Sequence, residues 1–263
     1  MRFYVYSGIF LAFVLLLGGG CDLSKKQRAT WIWDAHSLND PADTLSFFEK
    51  QHVTDVYVQI DSTVSDSVYQ SFIQKAHRKG IKVHALDGSP DYTEQELDVF
   101  LKRVRSFDWD GIHLDIEPYL SEEWKHDQKQ AVYRYEGLIK RAAASGWTLG
   151  ADIPFWYDEV PSSTGETLAE FVIQHTDYTV IMAYRDRAQQ IMEVSSKERA
   201  LGRAFEKNVW IAVETIANPE ADGISFFGKS AAYFEEELKK VEKECGCPVA
   251  VHHAESWKTL LDQ

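Results

Sequence analysis

From residue 30 onward the chain alternates short apolar or β-branched runs with longer stretches of helical period. Eight runs recur, at 30–34, 55–61, 82–87, 111–117, 148–154, 178–185, 209–215 and 249–254. After the second run Tyr69, Phe72, Ile73 and Ala76 stand at i, i+3, i+4 and i+7, and after the third Leu97, Phe100, Leu101 and Val104 repeat the spacing. Both stretches predict helices with one apolar face. Thr93 and Glu96 have capping-box spacing, and Gly80 and Gly146 fall where a glycine ends a helix. Eight strands, each followed by a helix, within roughly 235 residues is the count of a (β/α)8 TIM barrel, whose usual size is about 250. A doubly wound open sheet is the alternative, but Trp31-Ile32-Trp33-Asp34 runs into Ala35-His36 without a Gly-x-Gly-x-x-Gly turn. The expectation is one α/β domain, a single (β/α)8 barrel over residues 30–263, with its longest loop at 217–229.

Ahead of the barrel, residues 3–17 are almost wholly apolar, follow the basic Arg2 and end in Gly18-Gly19-Gly20-Cys21. The run is short for a bilayer span, which takes about 20 residues, and it reads as a cleaved export signal. The small residues before Cys21 resemble the lipobox of bacterial lipoproteins, in which the cysteine is lipidated and becomes the new N-terminus. Leu17 stands four places before the cysteine, where the lipobox has its leucine three before. The expected organisation is a lipoprotein-type signal peptide at 1–21, a polar tether at 22–29, and a barrel in the cell envelope anchored to the membrane through Cys21; plain secretion is the alternative. Cys245 and Cys247 are separated only by Gly246. A disulfide there is strained and a zinc site lacks further ligands at suitable spacing, so two thiols at a helix end are expected.

Charge and composition narrow the partners. With 41 acidic against 28 basic side chains the formal charge is -13, which opposes a phosphate-tracking surface and excludes nucleic acid as the expected partner. Eight Trp, twelve Tyr and fourteen Phe exceed what a core of this size needs, so some are expected to line a binding surface.

Barrel enzymes carry their chemistry at the C-terminal ends of the strands. Collected there are Asp34, Asp61, Asp87, Asp115, Glu117, Asp152, Tyr184 with Arg185, Glu214, and His252 with His253. A carboxylate in such a place also caps the next helix, and for Asp61 and Asp87 that reading stands beside the functional one. The most informative stretch is 110–119, DGIHLDIEPY. Alternation along a strand puts His113, Asp115 and Glu117 on one face and Ile112, Leu114 and Ile116 on the other. The apolar set packs under helices, so the polar set points into the barrel. Ionisable groups stacked this closely push one carboxyl pKa upward, which makes Glu117 a natural general acid with Asp115 as its helper.

This stretch resembles the fourth-strand signature Asp-Gly-x-Asp-x-Asp-x-Glu of glycoside hydrolase family 18, the chitinases and endo-β-N-acetylglucosaminidases. The resemblance implies that Glu117 protonates the glycosidic oxygen and that Asp115 orients a substrate N-acetyl group, which attacks the anomeric carbon in a substrate-assisted mechanism. Met182-Ala183-Tyr184 is similar to the family's Met-x-Tyr-Asp on the sixth strand, which gives Tyr184 a contact to the reacting acetamido group. Trp257, just past the eighth run, takes the place of the family's sugar-stacking tryptophan. The implied substrate is a glycan or polysaccharide containing N-acetylhexosamine, and no cofactor or metal is required. Two positions depart from the family: His113 stands where the signature has its middle Asp, and Arg185 where an Asp follows the Tyr. A protonated His113 beside an ionised Asp115 would alter the proton cycle. There is little room for the insertion that deepens the cleft in many members, so a shallow, open groove is expected.

Without the acetamido route, the same barrel needs a second carboxylate, and Asp152 or Glu214 is the candidate nucleophile or base. Glu214 shares a face with Trp210 and Ala212 and should point inward. His113, Asp34, Asp152, Trp156, Arg185, Glu214 and Trp257 are the residues expected to contact substrate. Three other readings use the same side chains. Nine histidines invite a metal-dependent deacetylase or amidohydrolase, but the first, fifth and sixth runs supply Asp34, Asp152 and Tyr184 where such barrels carry histidines. A non-catalytic glycan-binding lipoprotein needs only aromatic platforms such as Trp31, Trp33, Trp156, Tyr157 and Trp257. A structural envelope protein leaves the stack of His113, Asp115 and Glu117 without a purpose.

Overall fold

The computed structural model describes residues 26–217 and 222–262. Within them the strands are β1 (Arg28–Ile32), β2 (Val53–Gln59), β3 (Lys82–Asp87), β4 (Gly111–Leu114), β5 (Leu149–Pro154), β6 (Tyr178–Met182), β7 (Asn208–Glu214) and β8 (Val249–His252). All pair in parallel and in chain order, and β8 closes on β1. Around them lie α1 (Ala42–Lys50), α2 (Asp66–His77), α3 (Glu94–Val104), α4 (Glu122–His126), α5 (Gln128–Ala143), α6 (Leu168–His175), α7 (Ala188–Val194), α8 (Ser196–Ala204), α9 (Ala231–Cys245) and α10 (Ala254–Leu261). The chain is a single (β/α)8 barrel. Among the described residues no helix is long and apolar enough to cross a membrane.

The two sequence periods account for the layers. α2 buries Tyr69, Phe72, Ile73 and Ala76, and α3 buries Leu97, Phe100 and Val104. The capping box at the start of α3 is closed, with Glu96 N donating to Thr93 Oγ1 at 3.2 Å and Thr93 N to Glu96 Oε2 at 2.8 Å. Outward residues such as Ile112 and Leu114 of β4, and Ile116 just past its end, are buried, each worth about 1.5–3 kcal/mol when fully buried. Inward residues form a second core inside the barrel, built from Trp31, Tyr57, Leu86, Tyr178, Val180 and Trp210. That aromatic plug is the floor on which the polar residues of the C-terminal mouth stand.

Several expectations are corrected. β1 begins at Arg28, inside the segment read as tether. Arg28 is 1% exposed; its Nε donates to Glu242 at 2.7 Å and its Nη1 and Nη2 reach Glu235 at 3.3 Å. A charged residue that reads as solvated is here closed in by two carboxylates of α9. Trp257 is wholly buried on α10, its ring 5.2 Å from that of Phe47 and 6.4 Å from that of Phe234, so it packs the helical layer and is no sugar platform. Cys245 and Cys247 are joined in a disulfide. Gly246 at the end of α9 has φ 62°, a left-handed bend that brings the flanking Cα atoms to 5.0 Å and into bridging range. The run at 111–117 pairs as a strand only to Leu114, because Pro118 opens a 3-10 turn directly after Glu117. The signal, Cys21, the start of the tether and part of the 217–229 loop lie outside the described residues.

Candidate active site

β4 delivers its inward residues at three depths. His113 is fully buried, stacked on Tyr57 with ring centroids 3.8 Å apart, and its Nδ1 lies 3.1 Å from the Tyr178 hydroxyl. Its Nε2 lies 2.9 Å from Asp152 Oδ2, a contact whose geometry falls short of a hydrogen bond. Burial pushes the imidazole down to about 3, so His113 is neutral. In a dry aromatic interior the charged ring has no hydration, and its near neighbour is Asp152, so the conditional role of a protonated His113 beside Asp115 finds no support here.

Asp115 comes next. The approach of β3 to this point depends on Gly88: a Cβ there would lie 1.9 Å from the Asp115 carbonyl oxygen. Asp115 N donates to Asp87 O at 3.0 Å, while Asp115 Oδ1 is buried without a partner. Burial, followed by the carboxylates of Asp152 and Glu117, raises the Asp115 carboxyl well above the usual range. Glu117 stands at the rim, half-buried, and the Tyr119 hydroxyl donates to its Oε1. Burial raises its carboxyl; the Tyr119 hydrogen bond and His252 pull the other way and are outweighed. A carboxyl whose surroundings favour the protonated form more than water does is the kind of group that can serve as a proton donor.

The other expected residues separate into those that converge here and those that do not. Asp152 on β5 is 2% exposed; its Oδ2 accepts from Trp31 Nε1 at 3.1 Å and its Oδ1 has no partner. Burial raises this carboxyl well above the ordinary value. Tyr184 is half-buried just past β6, its ring 6.2 Å from that of His252, and burial with the nearby carboxylates raises its phenol. Arg185 turns aside: its guanidinium lies 4.9 Å over the Phe155 ring and Nη1 donates to the Tyr184 carbonyl at 2.7 Å. Trp156 packs edge-on against Tyr119 at 5.1 Å and Trp124 at 6.1 Å, making an aromatic wall beside Glu117. Asp34 is exposed and caps the turn after β1 by accepting from His36 N at 2.9 Å. Asp61 caps in the same way, accepting from Thr63 N at 2.7 Å, whereas half-buried Asp87 accepts from Tyr92 at 2.6 Å.

Glu214 points inward at the end of β7, with both carboxylate oxygens engaged. Oε1 accepts from the backbone N–H of Thr215 and of Ile216, each at 2.7 Å, and Oε2 lies 3.0 Å from His252 Nδ1. The far nitrogen of that ring, Nε2, accepts from Trp33 Nε1 at 2.8 Å. Tyr119 and Trp124 are not among the expected site residues; His252 is collected with His253 at the end of the eighth run without a role, and Trp33 only as an aromatic platform of the glycan-binding alternative. Strand alternation was the available signal for His252, which shares the inward face of β8 with Ala250.

No family model matches the chain, and no curated protein matches it. Among solved structures, a fungal endo-β-N-acetylglucosaminidase of glycosyl hydrolase family 18 superposes with a TM-score of 0.55, at 16% identity, over 89% of this chain and 95% of that one. A plant class V chitinase mutant from Cycas revoluta in complex with (GlcNAc)3 gives 0.51 at 11% identity, over 89% and 96% of the two chains. What is shared is the fold. A putative deoxyribose-phosphate aldolase from Toxoplasma gondii also reaches 0.55 at 12% identity, over 90% of each chain, so the barrel alone does not select a chemistry.

The histidines, finally, are dispersed. His36 is exposed at the rim, His84 pairs with Asp55 at 3.0 Å near the opposite end, His113 is in the interior and His252 is at the mouth. Among the described residues no three His, Cys, Asp or Glu side chains converge as a metal-ligand set. Two cavities lie apart from Glu117, lined by none of Tyr119, Trp124 and Trp156. One, of about 650 Å3, is lined by Asp87, Ser89, Tyr92 and Val99, and the other, of about 580 Å3, by Asp186, Gln190, Phe227 and Lys229.

Proposed function

We propose that this protein is an extracytoplasmic glycoside hydrolase, acting on a glycan or polysaccharide that contains N-acetylhexosamine, with Glu117 as the general acid. The observation that carries the reading is the state of Glu117: a half-buried carboxyl, raised by its surroundings, at the mouth of a barrel and beside the wall formed by Tyr119, Trp124 and Trp156. Sugars stack on aromatic faces, and Tyr119, Trp124 and Trp156 supply such rings beside the carboxyl. Asp115 and Tyr184 are the nearest helpers, and the barrel is one that chitinases and endo-β-N-acetylglucosaminidases use.

One observation favours a second reading, a glycan-binding protein on a glycosidase barrel. Asp152 lies sealed beneath the mouth and both oxygens of Glu214 are engaged, so neither is free as a second catalytic carboxylate. Product release from N-acetylglucosamine-containing glycans and from neutral polysaccharides, by wild type and Glu117→Gln in parallel, separates the two. Loss of cleavage by about 10²–10⁴-fold with binding retained is expected for a general acid. Binding without cleavage by both proteins would replace the hydrolase with the receptor.

The same reading places the domain in the cell envelope, held through a lipid on Cys21. The full chain is expected in the membrane fraction and Cys21→Ser in the soluble fraction; equal partition of the two would remove the anchor.

A further inference from the structure

The two ends of the barrel differ in charge. Loops that lead into the strands lie at the pole opposite the mouth. On the β1–β4 side of that pole the exposed side chains are basic: Lys26 ahead of β1, Lys50 at the end of α1, Arg78 and Lys82 on either side of Gly80, and Arg105 before β4. Lys26 pairs with Glu242 at 3.3 Å, while Lys50, Arg78, Lys82 and Arg105 form no ion pair among the described residues. The carboxylates nearest to them are engaged by the protein. Asp55 accepts from Thr54 Oγ1 at 2.8 Å and lies 3.0 Å from His84 Nε2, and Asp110 accepts from Val83 N at 2.7 Å and lies 2.8 Å from His77 Nε2. Asp108 is exposed in the loop of Arg105, and Asp177 and Glu206 stand before β6 and β7, on the other half of the ring. The mouth is the reverse. Asp34, Asp91, Glu122 and Glu159 are exposed in the loops that leave β1, β3, β4 and β5, and the chain as a whole carries -13.

The chain also enters the barrel at the basic pole. β1 begins at Arg28, and Cys21 stands five residue steps before Lys26. A chain covers at most about 3.6 Å per residue, so those steps reach about 18 Å. The opposite end is farther away. α5 runs from the mouth back to the pole, and at about 1.5 Å per residue its sixteen residues span roughly 24 Å. A lipid on Cys21 therefore cannot lie in a membrane that the mouth touches. Of the orientations left, on the pole or on the side, charge selects the pole. Basic side chains within about 8 Å of an anionic leaflet are drawn to it, and the acidic mouth is repelled.

We infer that the protein docks on anionic lipid headgroups through the β1–β4 side of its N-terminal pole, so that Glu117 faces away from the membrane that carries it. This orientation rests on the anchored reading proposed above and deepens it. The substrate is then a glycan that stands roughly 24 Å or more off the leaflet. A sugar attached directly to a lipid of the same leaflet is out of reach.

Hydrogen exchange on the full wild-type chain, carried on phosphatidylcholine vesicles with and without phosphatidylglycerol, tests the orientation. With phosphatidylglycerol at low salt, amides of 78–82 and 105–110 are expected to slow several-fold while those of 120–127 keep their rates. High salt should return the pole to its rate on phosphatidylcholine. Each basic side chain near an anionic surface favours docking about fivefold, so Arg78→Glu, Lys82→Glu and Arg105→Glu combined are expected to weaken the docked state by about 10²-fold or more and abolish the slowing. The lipid and salt comparisons need no variant, so they decide the matter even if the triple variant folds poorly. Slowing at 120–127 in place of the pole, or rates at the pole that ignore phosphatidylglycerol, would overturn the inference. Sedimentation of the same samples reads the anchor separately. Wild type that joins phosphatidylcholine vesicles but shows no slowing at the pole keeps its anchor and loses the orientation; wild type that joins neither kind of vesicle would fell the anchor and the orientation with it.

Discussion

His113 shows how far a single environment can move one group. An unperturbed imidazole titrates near 6.5, but this one is stacked on Tyr57, sealed from water and lowered to about 3. Because its folded pKa is depressed, the unfolded chain binds more protons between those values. The contribution is fully present above pH 6.5 and is lost as pH falls toward 3. Asp115 and Asp152 act in the opposite sense, since their raised carboxyls hold protons in the fold that the unfolded chain releases. A difference measurement isolates the histidine. In urea titrations the stability gap between wild type and His113→Gln is expected to narrow by about 2 kcal/mol from pH 7 to pH 5. A constant gap would mean that His113 titrates in the fold as it does in the unfolded chain, and a widening gap that it is held charged. The sequence placed this residue on the inward face correctly, yet its partner could not be read there, because Asp152 is 39 positions away and on another strand.

Between residue and molecule, the ends of β3 and β4 decide where the acid stands. Asp87 O accepts from Asp115 N at 3.0 Å, and the strands come together at Gly88, where no side chain intervenes. Gly88→Ala would place a carbon 1.9 Å from the Asp115 carbonyl oxygen. Overpacking of backbone against backbone has no side chain to relax, so a loss of about 3 kcal/mol or more is expected by denaturant unfolding. Gly137→Ala is the comparison: it lies within α5 and a Cβ there meets nothing within 4 Å, so unchanged or slightly higher stability is expected. Equal effects of the two would show that the β3–β4 contact does not constrain the site. The strands and helices were legible because their periods are local. All eight runs became strands, and Tyr69, Phe72, Ile73 and Ala76 became one buried face. The strand ends were less so: Asp115 to Glu117 continue the alternation past the last paired residue, Leu114, which Pro118 cuts short.

At the scale of the whole barrel, closure brings together residues that no local pattern connects. β8 returns to β1, and this puts His252 against Trp33 across 219 positions and against Glu214 across 38. The same closure lays α9 and α10 over the lower end, where Arg28 reaches Glu235 and Glu242 and lies 5.8 Å over the Trp257 ring. Sequence alone determined the number of strands, the class of fold and which side chains of β4 face inward. Those follow from period-two and period-3.6 alternation, which depends only on neighbours along the chain. Tertiary structure decided that Trp257 packs a helix, that Asp34 caps a turn, and that a histidine of the last strand is aimed into the mouth. Each depends on what stands opposite across the ring, and that is set by the closure and register of the barrel rather than by the order of residues along any one strand.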